Sequence, residues 1–261
     1  MKHGFEDEKS GNLFFEIIRI LEVKRPLLIL LENVKHLRSH DGGRTFARII
    51  ELLAPLYHVD SRVIDARRWV PQHRERTFIV GLLRAAHPDL WVFDWPAAPD
   101  GEGPLLSSIL EQQYEARYIL TDPLWTYLQE YRRRHEAAGN GFGYSKVGPG
   151  DVSRTLSARY YKDGSEILID RGPNRSPRRL TPTECGRLMG FPRPTRGARP
   201  ATVSPSDHPR QFFFPVSDVQ AYRQFGNAVV PSVTEHLVAQ LAREANLPAL
   251  RERMRSRPSG S

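Results

Sequence analysis

Residues 27–37 read LLILLENVKHL, and this stretch decides how the chain is read. Five apolar residues, Leu27 to Leu31, run without a break into Glu32-Asn33-Val34. A continuous apolar run of that length predicts a strand buried on both faces, the habit of parallel sheets. In open parallel sheets ligands bind beyond the carboxyl ends of the strands. Glu32 falls at such an end, and a carboxyl group set beside apolar surface is a candidate acid near neutral pH. The same tripeptide also suits a plain strand end that caps the next helix.

Working outward, residues 10–21 (SGNLFFEIIRIL) carry Leu13, Phe14, Ile17, Ile18 and Leu21 at helical spacing, with Ser10 or Asn12 as a cap. Residues 44–53 (RTFARIIELL) predict a second helix, ended by Pro55. Residues 57–65 (YHVDSRVID) and 77–83 (TFIVGLL) predict strands. Strand and helix patterns alternate, which argues for an α/β layer. No helical stretch separates the last two strands, so they should pair antiparallel.

Beyond residue 85 the character changes. Residues 85–103 hold Pro and Trp in a connector-like run, and 104–138 predict one or two polar helices. Residues 139–170 are Gly-rich, aromatic and basic, and end in a short strand at 167–169. Thr181 three residues before Glu184 forms a capping box for a short helix to Met189, with Pro182 at its first position. Residues 193–210 read as a loop, 229–245 as a helix after Pro231, and the tail from Arg251 as a basic, disordered end.

The chain has 261 residues, 38 Lys plus Arg against 30 Asp plus Glu, and a net charge of +8. That balance favours a polyanionic partner such as nucleic acid. The single cysteine excludes an internal disulfide and a multi-cysteine metal site, and a cytoplasmic location fits. No apolar run approaches membrane-spanning length, and Met1-Lys2-His3-Gly4 does not open a signal peptide. We expect no membrane partner and no metal.

Four stretches then line up: LLENVKHL, VPQHRERTFIVG at 70–81, RRLTPTECGRLMGFP at 178–192 and QFGNAVVPSV at 224–233. In this order they resemble the later blocks of DNA cytosine-5 methyltransferases. ILTDPLWTYLQEYRRRHEAAGNGFGY (119–144) and DVSRTLSARYYKDGSEILIDRG (151–172) resemble the target-recognition part of Dcm-type members. The likeness covers nearly all of residues 4–240.

The resemblance implies an α/β fold: a SAM-dependent, Rossmann-like methyltransferase sheet lacking its N-terminal strands, plus a small α+β target-recognition domain. The implied division is 1–85 for the C-terminal part of the catalytic domain, 86–215 for target recognition, 216–250 returning to the catalytic domain, and 251–261 for the tail. The implied reaction transfers methyl from S-adenosylmethionine (SAM) to carbon five of a cytosine flipped out of double-stranded DNA, with the inner cytosine of CC(A/T)GG as target. By the same resemblance Glu32 protonates or hydrogen-bonds the ring nitrogen and Arg76 binds the cytosine O2. Gln72 and Arg74 hold their loop and a nearby phosphate. Asn227 and Gly226 lie near the cofactor. Thr155 and Leu156 lie near the flipped base's backbone. Arg154, Arg159 and Lys162, with Tyr160 and Tyr161, offer a cationic and aromatic surface to DNA. Arg74 and Arg76, one residue apart, are expected to point to one side.

Cys185 sits in a block that the resemblance marks as structural, so it is not read as the nucleophile. The Phe-x-Gly-x-Gly cofactor loop and the Pro-Cys-Gln nucleophile loop have no counterpart in the 261 residues. The expectation is therefore a split subunit, completed by an N-terminal methyltransferase polypeptide, or a truncated form inactive alone. A non-catalytic DNA-binding remnant is the alternative.

Overall fold

The computed structural model describes residues 12–87, 89–140, 144–162, 165–192, 194–197 and 212–245. The proposed Ser10 cap, most of the loop over 193–210 and the tail lie outside the described residues. Contacts divide the chain into two units, residues 1–65 with 75–97 and 235–261, and residues 66–74 with 98–234.

The first unit contains helix α1 (Asn12–Lys24), strand β1 (Leu28–Val34), helix α2 (Arg44–Leu53) and strands β2 (Tyr57–Asp65) and β3 (Glu75–Leu83). α1 runs three residues past Leu21, and Arg25, with φ 43°, turns the chain out of it before Pro26. α2 and β2 match their expected bounds, while β3 starts two residues early, at Glu75. The strand order is β1-β3-β2, antiparallel at both junctions. One face of the sheet packs Ile29, Tyr57, Ile79 and Leu83 against Ile18 and Leu21 of α1 and Ile49 and Leu53 of α2. These are the positions that the helical spacing sets on one side of each helix.

The expected connector at 85–103 does more than connect. Trp95 Nε1 donates to Asp60 Oδ2 at 2.9 Å, and the guanidinium of Arg62 lies over the Trp95 ring. Trp91 Nε1 donates to Glu244 Oε2 at 3.1 Å, and the Asp94 amide to Glu244 Oε1 at 2.9 Å. Glu244 ends the last helix, which starts at Pro231 and whose first turn is counted with the second unit.

Two expectations for residues 27–31 are corrected. β1 pairs antiparallel, not parallel, and among the described residues it pairs only with β3, at the edge of the sheet. Of the five apolar residues only Ile29, 6% exposed, is fully buried. An apolar run states how much burial a strand seeks. It carries no information on the direction of the neighbour, which the intervening chain decides.

The second unit has helix α3 (Asp122–Ala137), strands β4 (Lys146–Val147), β5 (Leu168–Ile169) and β6 (Arg178–Arg179), helix α4 (Pro182–Leu188), strands β7 (Thr195–Arg196) and β8 (Phe213–Phe214), and helix α5 (Asp218–Asn227). The helix from Pro231 to Glu244 is α6. Leu156, Tyr160, Ile167, Leu168, Leu180, Leu188 and Met189 are fully buried. The capping box forms as expected: the Glu184 amide donates to Thr181 Oγ1 at 3.1 Å, and Glu184 Oε2 accepts from the Thr181 amide at 2.8 Å. Glu184 also takes a forked pair of hydrogen bonds from Arg178, both 2.7 Å, with Tyr114 4.1 Å from the guanidinium. α5 was not expected; Ser217 caps it, and its Ala221, Tyr222 and Phe225 are buried.

Candidate functional site

Glu32 and Arg76 meet on one face of the first unit's sheet. Glu32 stands opposite Phe78, and Arg76 precedes Phe78 by two, so the two are diagonal neighbours on one face. Arg76 Nε is 3.1 Å from Glu32 Oε1, and Arg76 Nη1 donates to the Glu75 carbonyl at 2.9 Å. The side chains are 15% and 24% exposed, so the pair is shielded yet reachable. Burial lowers the basicity of Arg76, and the Glu32 carboxylate works against that shift. The carboxyl group read from sequence as a lone acid therefore has a cation beside it. Lys35, just past the end of β1, and Glu75, at the start of β3, form a second, exposed pair at 2.7 Å.

Gln72 and Arg74 serve the second unit. Gln72 is fully buried; its Nε2 donates to the Leu188 carbonyl at 2.7 Å, and its Oε1 accepts from the Leu156 amide at 3.1 Å. Arg74, 2% exposed, donates to the carbonyls of Leu156 (3.0 Å), Gly226 (3.0 Å) and Ala228 (2.7 Å). These two residues tie the Thr-Leu pair, the α4 block and the FGNAV turn together. Their expected phosphate contact is corrected, because both polar ends are spent on backbone and out of solvent. Arg74 and Arg76 do not act together either. Side-chain alternation holds along a strand, and β3 begins only at Glu75.

Leu156 is fully buried, and so is Tyr160, whose hydroxyl donates to the Ile167 carbonyl at 2.7 Å and accepts from the Leu180 amide at 2.8 Å. Both were read as DNA-facing, and their side chains are core instead. Apolar bulk inside a basic run gave no sign of this. Thr155 Oγ1 donates to the His73 carbonyl at 2.5 Å, with Thr155 half-buried. Arg154, Arg159 and Lys162 are exposed, as a phosphate-contacting surface requires.

Gly226 is bare for an internal reason. A Cβ there would lie 2.3 Å from the Ser157 carbonyl oxygen and 2.5 Å from the Ala158 nitrogen. The close backbone approach that glycine permits here is made by the chain's own Ser157–Ala158 peptide. Asn227 is exposed at the end of α5. Cys185 is fully buried, and burial together with the neighbouring Glu184 pushes its thiol well above the usual range. It does not supply a thiolate. Sequence reasoning missed the two-carbonyl grip of Arg74 on the FGNAV turn, since no local pattern announces a contact 152 residues away.

Among the described residues no helix is long and apolar enough to cross a membrane, and no cluster of His, Cys, Asp and Glu is placed to hold a metal ion.

The family described as C-5 cytosine-specific DNA methylase matches residues 1–243. The chain is 44% identical over 261 residues to the DNA-cytosine methyltransferase of Escherichia coli K12, covering 88% of this chain and 52% of that protein. It is 41% identical to the type II methyltransferase M.NlaX of Neisseria lactamica, covering 97% and 74%. Among solved structures it resembles S. pombe Dnmt2 methyltransferase, with TM-score 0.64 and 17% identity, covering 93% of this chain and 76% of that one. The chain thus spans about half the length of the E. coli relative. With the Glu-Asn-Val strand, the Gln72–Arg74–Arg76 run and the FGNAV turn in place, it is a member of the C-5 cytosine-specific DNA methylase family.

Proposed function

We propose that this chain supplies the base-activating and DNA-contacting part of an enzyme that methylates carbon five of cytosine in duplex DNA. The observation that carries this is the Glu32–Arg76 pair. Cytosine presents its ring nitrogen and its O2 oxygen side by side. A carboxyl group beside a guanidinium matches that edge: Glu32 holds the ring nitrogen, and Arg76 donates to O2. Drawing electron density toward that edge makes carbon six open to attack. Asn227 is the residue of this chain offered to SAM, which supplies the methyl group when bound. The nucleophilic cysteine comes from outside these 261 residues, since Cys185 is sealed in the core.

The unit that holds α3 and residues 151–172 is read as the target-recognition domain and the sheet-bearing unit as catalytic. The target is read as CC(A/T)GG, and the location as the cytoplasm. The partners are double-stranded DNA and a polypeptide region carrying the cysteine and cofactor-loop blocks.

The test is methyl transfer from tritiated SAM to a CC(A/T)GG duplex. The chain alone should give background incorporation, and addition of a polypeptide bearing the missing blocks should raise it. Incorporation by the chain alone would overturn this reading.

A further inference from the structure

The second unit has a cleft of about 690 Å³ between the first two turns of α3 and the turn at 172–176. Trp125, Gln129, Lys146, Asn174 and Arg175 line it. A second cleft of about 390 Å³, lined by Tyr114 and Arg171 among others, shares Asp170 and Arg175 with the first. None of Arg154, Arg159 and Lys162 lines either one.

The charges around the two clefts are unevenly spent. Every lining carboxylate already has a donor. Asp122 accepts from Ser176 Oγ at 2.6 Å. Asp170 accepts from the Gly172 amide at 3.0 Å and pairs with Lys146 at 3.2 Å. Glu111 accepts from Thr181 Oγ1 at 2.6 Å. Of the cations, Lys146 is matched by Asp170 and Arg178 by Glu184. Among the described residues the Arg171 guanidinium bonds only neutral partners, the Tyr114 hydroxyl at 3.2 Å and the Ser176 carbonyl at 3.1 Å, and has no ion pair. Arg175 is exposed, lines both clefts, and among the described residues has neither hydrogen bond nor ion pair.

We propose that these joined clefts seat the phosphodiester backbone of DNA, with Arg175 as the phosphate contact and Arg171 reinforcing it. This rests on the reading that the chain acts on DNA. Two adjoining concavities that share one unspent cation suit a chain of anions better than a single one. Each DNA strand carries a charge about every 3.4 Å along the axis. A guanidinium matches a phosphate with two parallel N–H groups. The contact fixes position on the duplex and carries no base information.

The experiment compares duplex binding by the full chain and Arg175→Gln between 50 and 200 mM salt, by fluorescence anisotropy. Arg175→Lys and the triple Arg154→Gln, Arg159→Gln, Lys162→Gln variant run alongside. Because Arg175 is exposed and unbonded, its melting curve should not move. The slope of log affinity against log salt should fall by about 0.9 for Arg175→Gln, equally on CC(A/T)GG and unrelated duplexes. Arg175→Lys should restore most of it. An unchanged slope in Arg175→Gln with a lowered slope in the triple variant overturns the cleft while leaving the DNA reading intact. Loss of pyrophosphate or polyglutamate binding in Arg175→Gln, with the duplex slope unchanged, assigns the clefts to a free anion or an acidic peptide and also overturns it. No salt-dependent duplex binding by the unmodified chain overturns both readings.

Discussion

Arg74 reaches 82 residues along the chain to hold the carbonyl of Leu156 at 3.0 Å, while its other terminal nitrogen spans the carbonyls of Gly226 and Ala228. One guanidinium thereby sets the distance between the Thr-Leu pair and the turn that carries Asn227. Only a planar fork can do so, since an ammonium is a single point of charge.

Replacing Arg74 with Ala takes this donor from two buried carbonyls and one part-buried one. Hydrogen bonds to charged groups contribute about 1.5–3 kcal/mol each, not additively, so a loss of roughly 3–5 kcal/mol is expected. Arg74→Lys should recover less than half of it. Urea denaturation followed by Tyr and Trp fluorescence checks both. A loss under about 1 kcal/mol for Arg74→Ala would remove it from the scaffold.

Gly226→Ala should be harmful although Ala favours helix, because the new methyl meets Ser157 backbone at 2.3 Å and backbone cannot swing aside. The expected cost is about 3 kcal/mol, at the upper end of overpacking. Gly139→Ala, where nothing lies within 4 Å, is the control, burdened only by its positive φ. Equal melting temperatures for the two variants would contradict the packing argument.

Glu32→Gln keeps shape and removes the acid. In a complex supplemented with the cysteine and cofactor-loop blocks, methyl transfer should fall by about 10²–10⁴, the usual contribution of a positioned acid. Duplex affinity should stay within about twofold, since Glu32 meets the ring and not the phosphates. Near-normal turnover would make Glu32 a structural partner of Arg76.

Cys185 should resist alkylation in the native protein at pH 7–8. Burial raises its thiol, so the protonated, unreactive form persists through that range and the thiolate forms only at higher pH. Iodoacetamide labelling read by mass spectrometry should give almost no adduct until denaturant is added. Rapid native labelling would show that α4 opens.

β1 has its outer edge unpaired among the described residues, and Leu28, Leu30 and Leu31 are only half-buried. Such an edge templates pairing with another chain. The first unit should self-associate as concentration rises, and Leu30→Lys should suppress this, measured by light scattering. Hydrogen exchange at low concentration should show slow and fast amides alternating along residues 28–34, because only every second N–H faces β3. Uniform protection of a monomer would mean the edge is covered.

Local chemistry made much of this protein legible. The 44–53 helix, the 57–65 strand and the capping box at Thr181 and Glu184 depend on near neighbours: apolar spacing, a cap, a bulky alternation. Glu32 stands out in the sequence because apolar runs and their polar stops are written in order along the chain, although β1 carries on past it to Val34. The sequence by itself thus determined most element types and the family blocks, and marked Glu32 as a candidate acid.

What only the tertiary structure decided is which polar residues face outward. Arg74 and Arg76 share a charge and a motif, yet one is buried under carbonyls and the other stands beside Glu32. Leu156 and Tyr160 lie in the same basic run as Arg154 and Arg159, yet the first two are core. The direction of β1 was set by β3, and the bareness of Gly226 by Ser157. Each of these depends on partners tens of residues away, and a contact at that separation leaves no periodic trace in the chain: its free energy belongs to the pair, not to either residue's neighbours in sequence.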